Sequence, residues 1–181
     1  MKFQSIYSIL SVFLIIILFF SCATPDQGKP DEDDFKNLHF IVERTHPDTA
    51  KAEMQAFYNR YGIPTSAEEL PDGHYKAESP ADDYHYRHII NFEVENGRFK
   101  NVEYDEIKYS GKSKTEEVEY NKKMNENVLG SAPEITYPIY EKQLEEKQNL
   151  MEIDAISGAT YSRYRLQLVA AMAIVDGPEG R

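Results

Sequence analysis

The sequence predicts an α+β domain, a small mostly antiparallel sheet with helices packed against it, and three observations carry that expectation. Asn96-Gly97 sits between two alternating segments, and Asn-Gly favours the type I′ turn that two-residue hairpin loops require. Tyr161, Tyr164, Leu168, Met172 and Val175 recur at helical spacing, so the last long segment has an apolar face. Between these lies a sequence of segments reading strand, strand, strand, helix, helix, strand, helix, an order typical of helices segregated to one face of an antiparallel sheet.

In chain order, Lys2 followed by the apolar run Ile9 to Phe20 has the charged and hydrophobic regions of an export signal, expected over residues 1–21. The run ends at Phe19-Phe20-Ser21-Cys22. This resembles a bacterial lipobox, whose cysteine is lipidated, palmitate being one of its acyl groups, and becomes the mature N-terminus; Phe19 departs from the usual aliphatic residue. Cys22 is the one cysteine of the 181 residues, so an intramolecular disulfide and a thiolate metal site are both excluded. Residues 22–34, polar and ending in Asp31-Glu32-Asp33-Asp34, read as a flexible tether.

Residues 35–70 read as an N-terminal helical extension. Leu38, Phe40 and Val42 alternate weakly and suggest a strand over 38–43; Asp48 is placed to cap a helix running to Tyr61, stopped by Gly62 and Pro64. From residue 71 to 177 the chain reads as one compact domain. Strands are expected at 74–78 and 86–95, and a third from the Asn96-Gly97 turn to Ile107. Pairing across that turn sets Glu95 against Arg98, Val94 against Phe99 and Glu93 against Lys100, with charges on one face and apolar groups on the other. A polar helix is expected over 115–129, a turn at 130–133, and a second helix over 138–148 with Pro138 in its first turn. Leu150, Met151 and Ile153 suggest a short strand leading into the final helix, which Gly177-Pro178 ends.

That lead-in ends in Asp154-Ala-Ile-Ser157-Gly158-Ala159-Thr160, with a Ser-Gly turn where a helix begins. Unpaired N–H groups and the helix dipole favour an anion there, and Gly158 allows close backbone approach. Read alone, the same residues make an ordinary helix start with Ser157 as N-cap. Asp154, Ser157, Gly158, Ala159 and Thr160 also match the D-x-x-[S/T]-G-A-T motif, and the chain resembles the FMN-binding domain family on it. That family includes the flavin-carrying C subunit of sodium-translocating NADH:quinone reductase, its Rnf-type counterpart and many small bacterial lipoproteins. Asp72-Gly73-His74-Tyr75 and Tyr120 to Met124 also resemble family segments, whereas 35–70 is not clearly covered.

The resemblance implies covalent FMN, held by a phosphoester on Thr160 and installed from FAD by a flavin transferase. It implies that Asp154 serves recognition by that enzyme and its metal, that Ser157 and Gly158 shape the turn, and that Tyr161 is either a ring contact or part of the core. The expectation is therefore an electron-carrying flavoprotein, not a turnover enzyme, lipid-anchored in the bacterial cell envelope and facing the periplasm or exterior, with an unnamed membrane redox partner. The alternative is a non-redox binding or structural surface lipoprotein that retains the fold.

Net charge of −11 argues against nucleic acid or anionic lipid as the partner surface. His74, His85 and His88 lack a completing ligand set, so no metal site is expected. Ser157 lacks the G-x-S-x-G flanks of a hydrolase nucleophile. The 13 tyrosines suit a core and a flavin-lining wall equally.

Overall fold

A computed structural model describes residues 28–180. The export signal, Cys22 and most of the tether lie outside the described residues. Five helices and a three-stranded antiparallel sheet are described, in the order α1 (Glu32–Arg44), α2 (Pro47–Tyr61), β1 (Gly73–Glu78), β2 (Tyr86–Val94), β3 (Phe99–Lys108), α3 (Val118–Asn127), α4 (Pro133–Lys147) and α5 (Thr160–Asp176). The α+β expectation holds.

The helix α5 is the central element. It lies on β1 and β2, and α1 and α2 pack against it, while α4 covers β3. Its buried residues include Tyr164, Leu166, Leu168, Val169, Ala170, Ala173 and Ile174, a surface far wider than the five-residue stripe read from the sequence. A helix apolar on most of its circumference is a core helix. Tyr161, Met172 and Val175 of that stripe are only partly buried.

The hairpin forms as expected. Asn96 and Gly97 both have positive φ, 53° and 68°, and Glu95 and Arg98 exchange backbone hydrogen bonds of 3.0 and 3.2 Å. Val94 pairs with Phe99 and Glu93 with Lys100. The charges pair differently from the expected cross-strand pairs, because Lys100 binds Glu95 and Glu93 accepts from Asn101. Between the Asn91/Glu103 and Glu93/Lys100 pairs, β3 carries one extra residue, and Asn101 there has φ of 50°. This bulge lets Phe99, Val102 and Tyr104 all face the core despite their uneven spacing. The outer edge of β3 is closed by α4: Gln148, Glu145 and Glu141 accept hydrogen bonds from the backbone N–H groups of Phe99, Val102 and Tyr104 at 2.6, 3.0 and 2.8 Å. An edge strand covered in this way offers no free ladder to another chain.

Several expectations are corrected. Residues 38–43 are helical, because Phe35, Leu38 and Val42 form one buried stripe at helical spacing while Phe40 is left exposed. The acidic cluster at the end of the tether is the start of α1: Asp31 caps the helix and forms a capping box with Asp34. His46, not Asp48, caps α2. The polar helix is shorter, with a 3-10 turn over Lys114–Glu116 before α3. Pro133 occupies the first turn of α4 and Pro138 lies inside it, so 130–133 leads directly into the helix. The expected fourth strand is a 3-10 turn, Leu150–Glu152, whose approach makes only an isolated bridge, Asn149 with Ser66.

A buried ionic cluster joins α1, α5 and β3. Arg165 makes a two-pronged contact with Glu43, at 2.6 and 2.7 Å, and reaches Glu106 at 3.4 Å; Lys114 also binds Glu106. Burial opposes ionisation of Glu43 and Glu106. The neighbouring His39 and Arg165 nevertheless hold Glu43 at about 2, and Arg165 and Lys114 hold Glu106 well below the usual carboxylate range. Beside them His88 is fully buried, and burial pushes its ring down to about 4.

The folded His88 thus takes its proton at lower pH than the unfolded chain does, so its neutral state stabilises the fold above about 6.5 and that contribution is lost as pH falls towards 4. The unfolding free energy measured in urea is expected to drop by on the order of 2 kcal/mol from pH 6.5 to 4.5 through this group. His88→Phe should remove most of that slope. The same slope in the variant would show that His88 does not cause it.

Candidate functional site

Residues 153–159 leave the 3-10 turn and deliver the chain to α5. Ala159 is the N-cap and makes no side-chain cap, so Ser157 does not play the capping role that the bare sequence allows. Ser157 and Gly158 instead form an exposed turn closed by Ala159 N–H donating to the Ile156 carbonyl at 2.9 Å. Gly158 has φ of +80°, and a Cβ there would lie 2.7 Å from Ser131 Cβ and 3.1 Å from Val128 Cβ. Both backbone and packing therefore require glycine. Gly158→Ala is expected to lower stability by at least about 1–2 kcal/mol. Gly130→Ala, with φ of +80° and open space around its Cβ, bears the strain without the clash and should cost less. Equal shifts in the urea midpoint would remove the packing argument.

The turn is fastened from below. Tyr140 donates its hydroxyl to the Ala159 carbonyl at 2.9 Å and accepts from Ile156 N–H at 3.2 Å; Gln143 accepts from Asp154 N–H at 2.6 Å. The exposed Asp154 carboxylate receives Lys147 Nζ at 2.6 Å, and that hydrogen bond lowers its pKa. Thr160 opens α5, half-buried, and its hydroxyl has no hydrogen-bond partner among the described residues.

Arg163 lies one turn further on. Side chains on a helix lean towards its N-terminus, and Arg163 Nη1 donates to the Ile153 carbonyl at 3.1 Å, under the motif turn. Its residue is only 8% exposed, its Nε has no hydrogen-bond partner, and no carboxylate pairs with it among the described residues. Asp154, on whose carboxylate the Arg163 charge acts, is bound by Lys147.

Asp154, Ser157, Gly158, Ala159 and Thr160 thus lie together on one surface turn. Tyr161 is partly buried and donates its hydroxyl to the Thr45 carbonyl at 2.9 Å, at the corner between α1 and α2. Lys147, Tyr140, Gln143 and Arg163 are not evident in the motif. Only Arg163 leaves a trace in the sequence, as a basic residue in the opening turns of a helix, where the dipole disfavours it. A turn of this kind combines uncapped helix N–H groups, a free hydroxyl and a buried guanidinium that lies over the Tyr164 ring and has no carboxylate ion pair among the described residues, which together suit an anion held next to a nucleophilic oxygen.

No family model matches the chain, and no curated protein matches it. Among solved structures it is similar to the CPE2226 protein of Clostridium perfringens, with 34% identity and a TM-score of 0.55, over 62% of this chain and 92% of that one.

Proposed function

The chain belongs to the same family as that Clostridium perfringens protein, and from the residues at the head of α5 we propose that it is an extracytoplasmic, lipid-anchored electron-transfer flavoprotein carrying FMN esterified to Thr160. The observation that carries this reading is the D-x-x-S-G-A-T motif, with its threonine hydroxyl free at an uncapped helix start near the buried guanidinium of Arg163, which has no carboxylate ion pair among the described residues.

The residues fit the group. A phosphate joined to both the ribityl chain and Thr160 keeps one negative charge, and Arg163 brings one positive charge that has no carboxylate ion pair among the described residues. Lys147 answers Asp154, so the carboxylate of the motif does not oppose the phosphate. Gly158 keeps the turn free of a side chain that would displace the 128–131 loop. Asp154 remains exposed, as a group recognised by a flavin transferase and its metal must be. When bound, the flavin supplies the electron chemistry; the protein attaches and orients it and sets its electrostatic surroundings. Outside the cytoplasm an ester bond keeps one flavin per chain where a dissociating cofactor would be lost. Cys22, lipidated, would keep the domain at the membrane within reach of its redox partner.

Colour distinguishes the forms of this proposal. Protein exported with an active flavin transferase is expected to be yellow and to stay yellow after denaturation and desalting. Colour that leaves on denaturation would mean a noncovalent flavin, and a colourless product under those conditions would favour a binding lipoprotein.

A further inference from the structure

A cavity of about 340 Å³ lies away from the motif, between α1, the middle of α5 and the segment joining β1 to β2. Its apolar walls include Phe35, Phe40, Tyr84 and Met172. Phe40 and Tyr84 are 57% and 70% exposed at its edge; the Arg44 guanidinium lies over the Phe40 ring, 4.0 Å from its centroid, and the Tyr84 ring is left open to water. That is an unfavourable arrangement for an empty hollow and a useful one for a ligand with a flat apolar body.

The polar side is dominated by Asp82, whose side chain is 5% exposed. Its Oδ1 accepts from the N–H groups of Tyr84 and Tyr86, both at 2.8 Å, which leaves Oδ2 without any hydrogen bond. The other charges lining the cavity have partners: Glu43 has Arg165, Asp83 has Arg44 and Lys36 has Glu32. Among the described residues Asp82 has only His88, 3.7 Å away, and neither ring nitrogen of His88 makes a hydrogen bond. Burial keeps that ring neutral at ordinary pH, so no cation among the described residues pairs with Asp82. His39 Nε2, on another wall, is also without a bond. A buried carboxylate oxygen without a donor is costly, and a donor from outside removes that cost.

We infer that this cavity is a binding site for a small organic monocation, an ammonium or amidinium nitrogen on a flat apolar body, with Asp82 Oδ2 as its counter-charge and Phe40 and Tyr84 as its aromatic walls. Carboxylate and phosphate ligands are repelled by Asp82. A metal ion lacks its donors, since among the described residues no three His, Cys, Asp or Glu side chains are grouped to hold one. Cation and ring faces attract, and the attraction grows as water is excluded. The site is independent of any flavin on Thr160.

Benzamidinium and its neutral isostere benzamide test this by titration calorimetry on the full chain. Benzamidinium is expected to bind, and benzamide at least tenfold more weakly. Asp82→Asn keeps an oxygen for the Tyr84 and Tyr86 amides but removes the charge, and should lower benzamidinium affinity at least tenfold with little change in melting temperature. Tyr84→Ala, at an exposed position, should weaken the cation several-fold; it decides the matter if Asp82→Asn melts early. Equal affinity for the two probes, failure of benzamidinium to bind the wild type, or binding that both variants leave unchanged overturns the site.

Discussion

Thr160→Ala is expected to abolish the proposed flavin adduct and to leave the fold in place. This is the expected result because the Thr160 hydroxyl makes no hydrogen bond within the described residues and caps nothing; the cap position belongs to Ala159. Alanine is also the better helix former, so the stability change should stay within about 1 kcal/mol. Mass spectrometry of protein coexpressed with a flavin transferase should show the increment of one esterified FMN in wild type and none in Thr160→Ala, with overlapping urea curves. Thr160→Ser keeps a hydroxyl on a different carbon frame, and reduced labelling there would mark enzymatic rather than adventitious attachment. Flavin still bound to denatured Thr160→Ala would assign the linkage to another residue.

The second large effect concerns the frame beneath the motif. Arg165→Met, five residues along α5, is expected to destabilise the protein by about 3–5 kcal/mol, because it leaves Glu43 and Glu106 buried without their main counter-charge. Lys114 still reaches Glu106, so Glu43 should bear most of the loss. The double variant Glu43→Met, Arg165→Met removes charge and counter-charge together and should recover much of the stability. A double variant no better than Arg165→Met alone would place the effect in packing. Both carboxylates ionise below their ordinary range in the fold, so the stability they confer is present above about pH 4.5 and lost as pH falls towards their folded values.

What was legible in the sequence depended on whether the signal was local. Asn96-Gly97 was, because its turn type follows from two residues and its register from the charges and apolar groups beside them. The alternation of Leu38, Phe40 and Val42 misled because the same stretch, with Phe35, also fits a helical stripe, and only the surface of α5 decides between them. Asp31 and Asp34 have the spacing of a capping box, yet an acidic run after a polar segment looks equally like tether. Pro138 suggested a helix start that Pro133 had already provided one turn earlier. The motif residues were readable in order. The partners that hold them, Lys147, Tyr140 and Gln143, come from α4, and no pattern in either segment announces their meeting.

The most direct measurement is the intact mass of the wild-type protein taken from its native membranes, where an active flavin transferase is demonstrated. Expected there is a mature chain that carries lipid on Cys22 and one esterified FMN, with the flavin in the peptide containing Thr160. A chain whose Thr160 peptide is unmodified in those membranes would contradict it.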